Sequence, residues 1–367
     1  MTNVLVSGAG VAGITLAYWL RRHGFAPTVV ERAPGLRAGG QAIDIRGVAL
    51  EVAGRTGVLD EARRLRTTHR GMSVYDGEGN EIMRSEETTY SSGRLDNDDI
   101  ELLREDLTRL LYERTRGEVT YLFGDSITAL EQDERGVLAR FEHAEPRRYD
   151  LVVGADGLHS TVRRLAFGPE QEFVHHLGTY LAVFGMDNFL GLEDWQVWMQ
   201  DGERGYGIFP VRGNTELRVS LGFQSEPLDH RDPARLRAAL AEAFAGAGGE
   251  TPRVLKGMEE AGDFYCDSMA QITMDRWSSG RIALVGDAAY CPSPLSGQGT
   301  SLALVGAYVL AAELAAAGGT HEAAFARYER RMRPFVALNQ ALATENPGRG
   351  ASEESVDRAK DAISLDE

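Results

Sequence analysis

The spacing of apolar residues changes twice within the first thirty positions. Val4-Leu5-Val6-Ser7 reads as a short strand, Ile14-Thr15-Leu16-Ala17-Tyr18-Trp19-Leu20 repeats at helical spacing, and Thr28-Val29-Val30-Glu31 reads as a second strand. Strand, glycine turn, helix and strand in that order predict a βαβ unit, hence a parallel sheet covered by helices. Turn residues Asp76-Gly77-Glu78-Gly79-Asn80 between Met72-Ser73-Val74-Tyr75 and Glu81-Ile82-Met83 predict a hairpin. Positions 99–114 carry the period of an amphipathic helix; strands follow over 119–123, 127–132, 137–142 and, most strongly, at Leu151-Val152-Val153.

From about Phe173 to Gln224 the pattern becomes alternating and aromatic, as in Trp195-Gln196-Val197-Trp198-Met199, which predicts a separate antiparallel sheet. A helix is expected over 232–247, a buried parallel strand at Ile282-Ala283-Leu284-Val285 and a helix over 297–316, so the first pattern returns late in the chain. The expected architecture is α/β: one domain assembled from 1–71, 96–172 and 266–318, a sheet domain from 72–95 and 173–265, and C-terminal helices over 319–367. The tail after Asn346 is polar and expected to fray at its end.

A chain of 367 residues favours two joined domains. Its 43% hydrophobic and 26% charged residues are ordinary for a globular protein. A net charge of −16 disfavours nucleic acid and anionic membrane surfaces as partners. Cys266 and Cys291 have no metal-ligand or disulfide spacing, and no metal is expected. The first residues lack the pattern of a signal peptide, so a cytoplasmic location is expected. The apolar stretch Leu302 to Ala317 contains Glu313 and falls short of the ~20 residues that span a bilayer, which reads as a buried helix.

Three motifs carry chemistry. In Gly8-Ala9-Gly10-Val11-Ala12-Gly13, Gly8 permits the turn, Gly10 lets backbone approach a pyrophosphate, Gly13 lets the helix pack closely, and the helix start around Val11 and Ala12 offers N–H groups to the anion. Glu31, at the end of the second strand, suits a ribose. In context this is a Rossmann-like dinucleotide site. The second motif, Gly154-Ala155-Asp156-Gly157-Leu158-His159-Ser160-Thr161-Val162-Arg163, places a carboxylate and a guanidinium beside such a ligand; Asp156 is equally suited to cap the helix beginning near Ser160. The third, Gly286-Asp287, runs into Cys291-Pro292-Ser293-Pro294-Leu295-Ser296-Gly297-Gln298-Gly299-Thr300. Asp287 leaves a buried strand at its carboxyl end and can accept from a polyol, while a stiff Pro loop and Gly297 and Gly299 let backbone N–H groups face a flat ring.

Together, in this order, these motifs resemble the class A flavoprotein monooxygenases, which include para-hydroxybenzoate hydroxylase, aromatic polyketide hydroxylases and tetracycline-inactivating monooxygenases. The likeness covers nearly the whole chain. Gly39-Gly40-Gln41-Ala42-Ile43-Asp44-Ile45-Arg46 and Arg94-Leu95-Asp96-Asn97 leading to Leu103-Arg104-Glu105-Asp106-Leu107 look like the tetracycline-inactivating branch. The resemblance implies a Rossmann-like FAD-binding domain of the para-hydroxybenzoate hydroxylase fold with an inserted substrate sheet, and non-covalent FAD. Glu31 and Arg32 would contact the adenosine end, Arg104 the phosphates or ribityl chain, and Asp287 the ribityl hydroxyls. Asp156, Gly286, Pro294, Gly297, Gln298, Gly299 and Thr300 would lie along the cofactor. Asp44 and Arg46 would lie near the isoalloxazine or its path and Arg37 near a nicotinamide, although solvated surface charge is a competing role for both arginines.

The activity so implied is hydroxylation of an aromatic or polyketide-type molecule with NADPH or NADH and O2, through a flavin C4a-hydroperoxide, in a monomer or weak homodimer. The flavin carries the chemistry, with Pro294 and Gly297 beside it, and no side-chain nucleophile is required. Flavin-dependent oxidation or reduction without oxygen insertion, antibiotic inactivation and non-catalytic nucleotide binding are the competing readings. Trp195, Trp198, Tyr206, Phe209 and Pro294 are the candidate substrate contacts, against the plainer role of strand aromatics as core. For His159, His175, His176 and His230 a solvated or core role is preferred, and for Cys291 that of a small buried apolar side chain.

Overall fold

A computed structural model describes residues 1–318, 320–346 and 350–366. Six strands form one sheet in the order Ser278–Ser279, Ile282–Leu284, Leu151–Gly154, Asn3–Ser7, Ala26–Glu31, Thr120–Phe123. All its pairs are parallel except the short edge strand. Helix Val11–Arg22 packs with helix Gly299–Ala316 on this sheet, and Ile14, Leu16, Leu304 and Leu310 are fully buried. The latter helix is long and apolar enough to cross a membrane, yet 67% of it is buried in the protein. Its interrupting Glu313 is held by Arg327 and Arg331 of helix His321–Ala341.

The second sheet has seven strands, in the order Tyr265–Ile272, Val174–Asp187, Glu216–Gln224, Arg204–Val211, Trp195–Asp201, Gly71–Asp76, Glu81–Ser85. It differs from the expected sheet in two ways. The hairpin joins it as expected, but through a parallel pairing of Gly71–Asp76 with Trp195–Asp201 in a sheet expected to be antiparallel. At the other edge, Tyr265–Ile272 extends the sheet beyond position 265, because pairing with Val174–Asp187 satisfies its backbone there. Helices Pro233–Ala243 and Thr251–Glu260 cover one face, burying Leu236, Leu240 and Val254 against Phe184, Ile208 and Val219. Asp232, accepting from the Arg235 N–H, caps the first of them ahead of Pro233.

Other expectations need correction. The segment 99–114 begins as a strand, Ile100–Leu103, paired antiparallel with Ala42–Ile45, and is helical only over Arg104–Glu113. All four residues of that strand are buried, so packing overrides the apparent period. The later helices are shorter than expected, Pro233–Ala243 and Gly299–Ala316, and Pro294–Ser296 makes a separate 3-10 turn. Up to residue 366 the end of the tail is tied down: Ser352 caps helix Glu353–Lys360, and Ala359 and Leu365 are buried. Residues 347–349 and 367 of the tail lie outside the described residues.

Candidate active site at the carboxyl edge of the parallel sheet

Strand register gathers the three motifs. Ser7 pairs with Val30 on one side and Gly154 on the other, and Gly154 pairs with Leu284, so the loops leaving these strands emerge side by side. This is the edge where open α/β sheets bind ligands, beside the strand at which the order reverses. Gly8, at φ +103°, lies against Ala155, where a Cβ would come 2.5 Å from the Ala155 oxygen. A Cβ on Gly13 would fall 1.9 Å from the Gly8 oxygen, and one on Gly286 would be 2.9 Å from Ala12 Cβ. Gly10 is different: a Cβ there meets nothing within 4 Å. It precedes helix Val11–Arg22 without a side-chain cap, so the first-turn N–H groups face open space.

Glu31 accepts from the Ala9 N–H at 2.8 Å and the Ala33 N–H at 2.9 Å and thus fixes the glycine loop as well as the strand end. Arg32 and Arg37 are exposed. Asp156 accepts from Ser7, Ser160 and the N–H groups of Thr161 and Val162; of its two expected duties the structure displays the capping one. Arg163, fully buried, donates to the Ala288 oxygen at 3.0 Å and the Leu158 oxygen at 2.6 Å. The Asp-Gly motif therefore braces the loop that carries Asp287. Arg104 donates to the Gly39 oxygen at 2.8 Å and closes the glycine pair at 39–40 over the helix start.

Asp287 begins the short helix Asp287–Tyr290. Burial raises its pKa to about 6, against the opposing hydrogen bond from the Cys291 thiol. The following loop holds Ser293 at φ 73° and ψ 146°, a strained conformation for a residue with a side chain, although Ser293 is buried. No pattern in the sequence announces that strain. Gln298, also fully buried, has neither amide atom bonded among the described residues, and its own side chain does not cap helix Gly299–Ala316. Gly299 and Thr300 open that helix, while Pro294 is exposed beside it.

Arg46 is buried, which removes the solvated-surface role for it. Its Nη2 donates to Asp44 Oδ2 at 2.9 Å and the Ser92 oxygen at 3.0 Å, and its backbone N–H donates to Ser301 Oγ. A Cβ on Gly297 would stand 3.7 Å from Arg46 Nη2, so this pair belongs to the same site. Burial raises the pKa of Asp44 to about 7 despite the attraction of Arg46, with Glu101 adding to the rise. Open space at Gly10, orphaned Gln298 amide atoms and the uncapped starts of helices Val11–Arg22 and Gly299–Ala316 suit an extended ligand with a pyrophosphate and a flat polar ring.

One face of the seven-stranded sheet packs against the strand pair Ala42–Ile45 and Ile100–Leu103, where Phe209 and Trp198 cluster with Leu103 and Ala42. Trp198 and Phe209 share that face, stacked with centroids 6.5 Å apart, and Gly207 opposite Trp198 leaves room for the indole. Gln196, unflagged in the sequence, bonds Trp198 Nε1, Ser91 and His69. Arg218 lies on the same face, buried and held by Asp263 and Glu105. A lone arginine inside the run Leu217 to Leu221 was its available signal. Tyr206 and Trp195 do not join this wall. Alternation turns Tyr206 into the core beneath the covering helices, and Trp195 lies on that opposite face against Arg84.

His175 and His176 lie on the long sheet strand. His159 instead stands between Glu170 and Asp267; burial opposes protonation, but those two hydrogen bonds outweigh it and raise its pKa to about 9. Cys291 is a buried thiol.

If Asp287 accepts from a polyol, its ionised form must be favoured by the ligand. Without cofactor, the raised pKa makes its contribution to stability fullest below the ordinary carboxylate range and lost as pH rises through about 6. FAD affinity should change in the opposite sense, tightening as pH rises through about 6. Asp287→Ala should weaken FAD binding by about 10- to 100-fold, the effect of losing one or two charged hydrogen bonds, and flatten that profile; flavin fluorescence titrations between pH 5 and 8 check both.

The comparisons agree with this geometry. The FAD binding domain family matches residues 1–342. "Uncharacterized protein Rv1260" of Mycobacterium tuberculosis is 52% identical over 353 residues, covering 96% of this chain and 95% of the relative. A "Flavin-dependent monooxygenase" of Legionella longbeachae is 40% identical, covering 92% of this chain and 87% of that one. Among solved structures, tetracycline destructase Tet(55) is 36% identical with TM-score 0.88, covering 99% of this chain and 98% of that one. Tet(51) is likewise 36% identical, with TM-score 0.87, 99% of this chain and 95% of that one. The chain is a member of the FAD-binding flavoprotein monooxygenases, with the α/β fold of that class.

Proposed function

We propose that the enzyme takes electrons from NADPH or NADH and inserts one atom of O2 into an aromatic or polyketide-type molecule lying against the Trp198 face of the seven-stranded sheet. The observation carrying this reading is that face itself: Trp198 stacked with Phe209, the side-chain-free strip of Gly205 and Gly207, and buried Arg218. A flat apolar wall with few polar groups suits a fused-ring substrate. FAD, when bound, supplies the redox chemistry.

The chain's own groups have separable duties in this reading. Gly10 and the N–H groups at Val11 and Ala12 hold the pyrophosphate, and Asp287 accepts from the ribityl chain. The N–H groups opening helix Gly299–Ala316 stabilise negative charge on the ring system, as fixed dipoles that need no reorganisation. Arg46, clamped by Asp44, keeps a guanidinium beside Gly297, and Asp44 itself can hold a proton near neutral pH. The seven-stranded sheet closes the opposite side and excludes water. Two buried free thiols and the demand for reduced nicotinamide support a cytoplasmic location.

Antibiotic inactivation is the second reading, favoured by 36% identity to two tetracycline destructases along almost the whole chain. A screen of phenols, naphthoquinones, anthraquinones and tetracyclines for stimulated NADPH oxidation separates the two. Product formed under isotopically labelled dioxygen should gain one labelled oxygen atom; unlabelled product would mean oxidation or reduction without insertion. Trp198→Ala should retain FAD but raise KM for the identified substrate by roughly tenfold, as expected for one lost aromatic contact. An unchanged KM would remove the indole from the substrate wall.

A further inference from the structure

We propose that Tyr90, in the turn between strands Thr88–Thr89 and Gly93–Arg94, is a specificity-determining residue whose ring packs against the far ring of a fused-ring aromatic substrate. The proposal rests on the reading of the Trp198 face as the substrate wall. A tight turn does not call for an aromatic residue, since turns take Gly, Asn, Asp or Ser for their backbone and hydrogen-bonding needs. Tyr90 nonetheless stands in this one, 47% exposed, directly after the buried Thr89. Its apolar surface is left uncovered by the protein in a hairpin that is otherwise anchored.

Three successive turn residues hold different parts of the site. Tyr90 meets Trp198 edge to face, with centroids 5.3 Å apart and planes at 69°. Ser91 Oγ accepts from Gln196 Nε2 at 2.6 Å, and Gln196 Oε1 accepts from Trp198 Nε1 at 2.9 Å. The Ser92 carbonyl accepts from Arg46 Nη2 at 3.0 Å, and the Thr89 and Ser92 hydroxyls share a hydrogen bond at 2.7 Å. The hairpin is therefore tied both to the aromatic wall and to the arginine beside Gly297.

Strand register sets what Tyr90 overlooks. Trp198 pairs with Gly207 and Gln200 with Gly205, and the Tyr90 hydroxyl lies 3.5 Å from Gln200 Nε2. The tyrosine thus borders the side-chain-free strip. On the next strand Gly207 pairs with Ser220 and Gly205 with Gly222, where a Cβ would meet only backbone oxygens, at 3.8 and 4.0 Å. Alternation puts Arg218, Ser220 and Gly222 on this same face, and Arg218 to Gly222 spans roughly 14 Å at about 3.4 Å per residue. Arg218, although buried, keeps its Nε without a partner among the described residues. A buried donor left unpaired at one end of a smooth floor points to a ligand that pairs with it. A single ring placed at Arg218 falls short of Tyr90, whereas further fused rings laid along the floor reach it.

The test titrates FAD-loaded enzyme calorimetrically with phenol and with 2-hydroxyanthraquinone, probes of one and three rings. Tyr90→Ala should weaken the three-ring probe roughly 3- to 10-fold, as for one lost aromatic contact, and phenol by less than about twofold. Tyr90→Phe should keep the three-ring affinity within about twofold of the wild type. FAD content and Tm should not move, because the ring is exposed. Unchanged three-ring affinity in Tyr90→Ala would overturn the assignment. Equal weakening of both probes would also overturn it, and a lower Tm with it would mark a structural ring. Trp198→Ala separates this proposal from the reading beneath it: weakening in that variant alone leaves the wall standing without Tyr90. If neither variant weakens the three-ring probe, or the wild type does not bind it saturably, the wall and Tyr90 fall together.

Discussion

Gly10→Val is expected to fold and to melt, without cofactor, within about 1 kcal/mol of the parent chain, yet to bind FAD at least about a hundredfold more weakly. Gly10 has an extended conformation, φ −86° and ψ −172°, which valine adopts readily, and a Cβ there meets no protein atom. The added side chain would instead fill the approach to the first-turn N–H groups of helix Val11–Arg22. Losing two hydrogen bonds to a charged pyrophosphate removes about 3–6 kcal/mol of binding. Flavin fluorescence titration and a melt of the cofactor-free variant measure the two halves separately. Undiminished FAD affinity would show that the pyrophosphate does not lie over Gly10. Gly13→Val has the opposite signature, because its Cβ would meet the Gly8 oxygen at 1.9 Å and the apo fold itself should fail.

Arg163→Met is expected to be the most destabilising substitution outside the glycine loop. The guanidinium is fully buried, links the Leu158 and Ala288 oxygens and stands beside Glu170. Methionine fills much of the volume but leaves two carbonyl groups without a donor and a carboxylate with one less cation. Breaking a buried charged network from one side costs about 3–5 kcal/mol, which corresponds to a fall in Tm on the order of 10 °C. Because Ala288 follows Asp287, FAD retention should also fall. Thermal melts of the loaded and stripped protein test this, and a loss below about 1 kcal/mol would mean that Arg163 is not the brace between the two motifs.

The βαβ start, the glycine loop and the late return of a parallel strand were legible in the chain because each depends on local spacing: period two, period near four, and residues that tolerate close backbone approach. The same holds for the cofactor class, since Gly8 to Gly13, Asp156-Gly157 and Gly286-Asp287 are short motifs with fixed surroundings. Asp156 had two available duties, and only its four protein donors displayed the one it performs in the fold. Ile100–Leu103 looked helical because its apolar positions Ile100, Leu102 and Leu103 fit either period, and pairing with Ala42–Ile45 decided between them.

By itself, then, the sequence determined the parallel α/β framework and the order of the cofactor loops, and the family resemblance of those loops implied FAD. Tertiary structure decided which aromatics form a wall, since facing depends on strand register: Trp198 and Phe209 share one face with Leu103 and Ala42 against it, whereas Tyr206 looks to the helices. It also decided the environment of Arg46, the extra sheet strand at Tyr265–Ile272 and the meeting of His159 with His230. Local propensity acts over a few residues, but burial and side-chain pairing are fixed only when distant segments pack together.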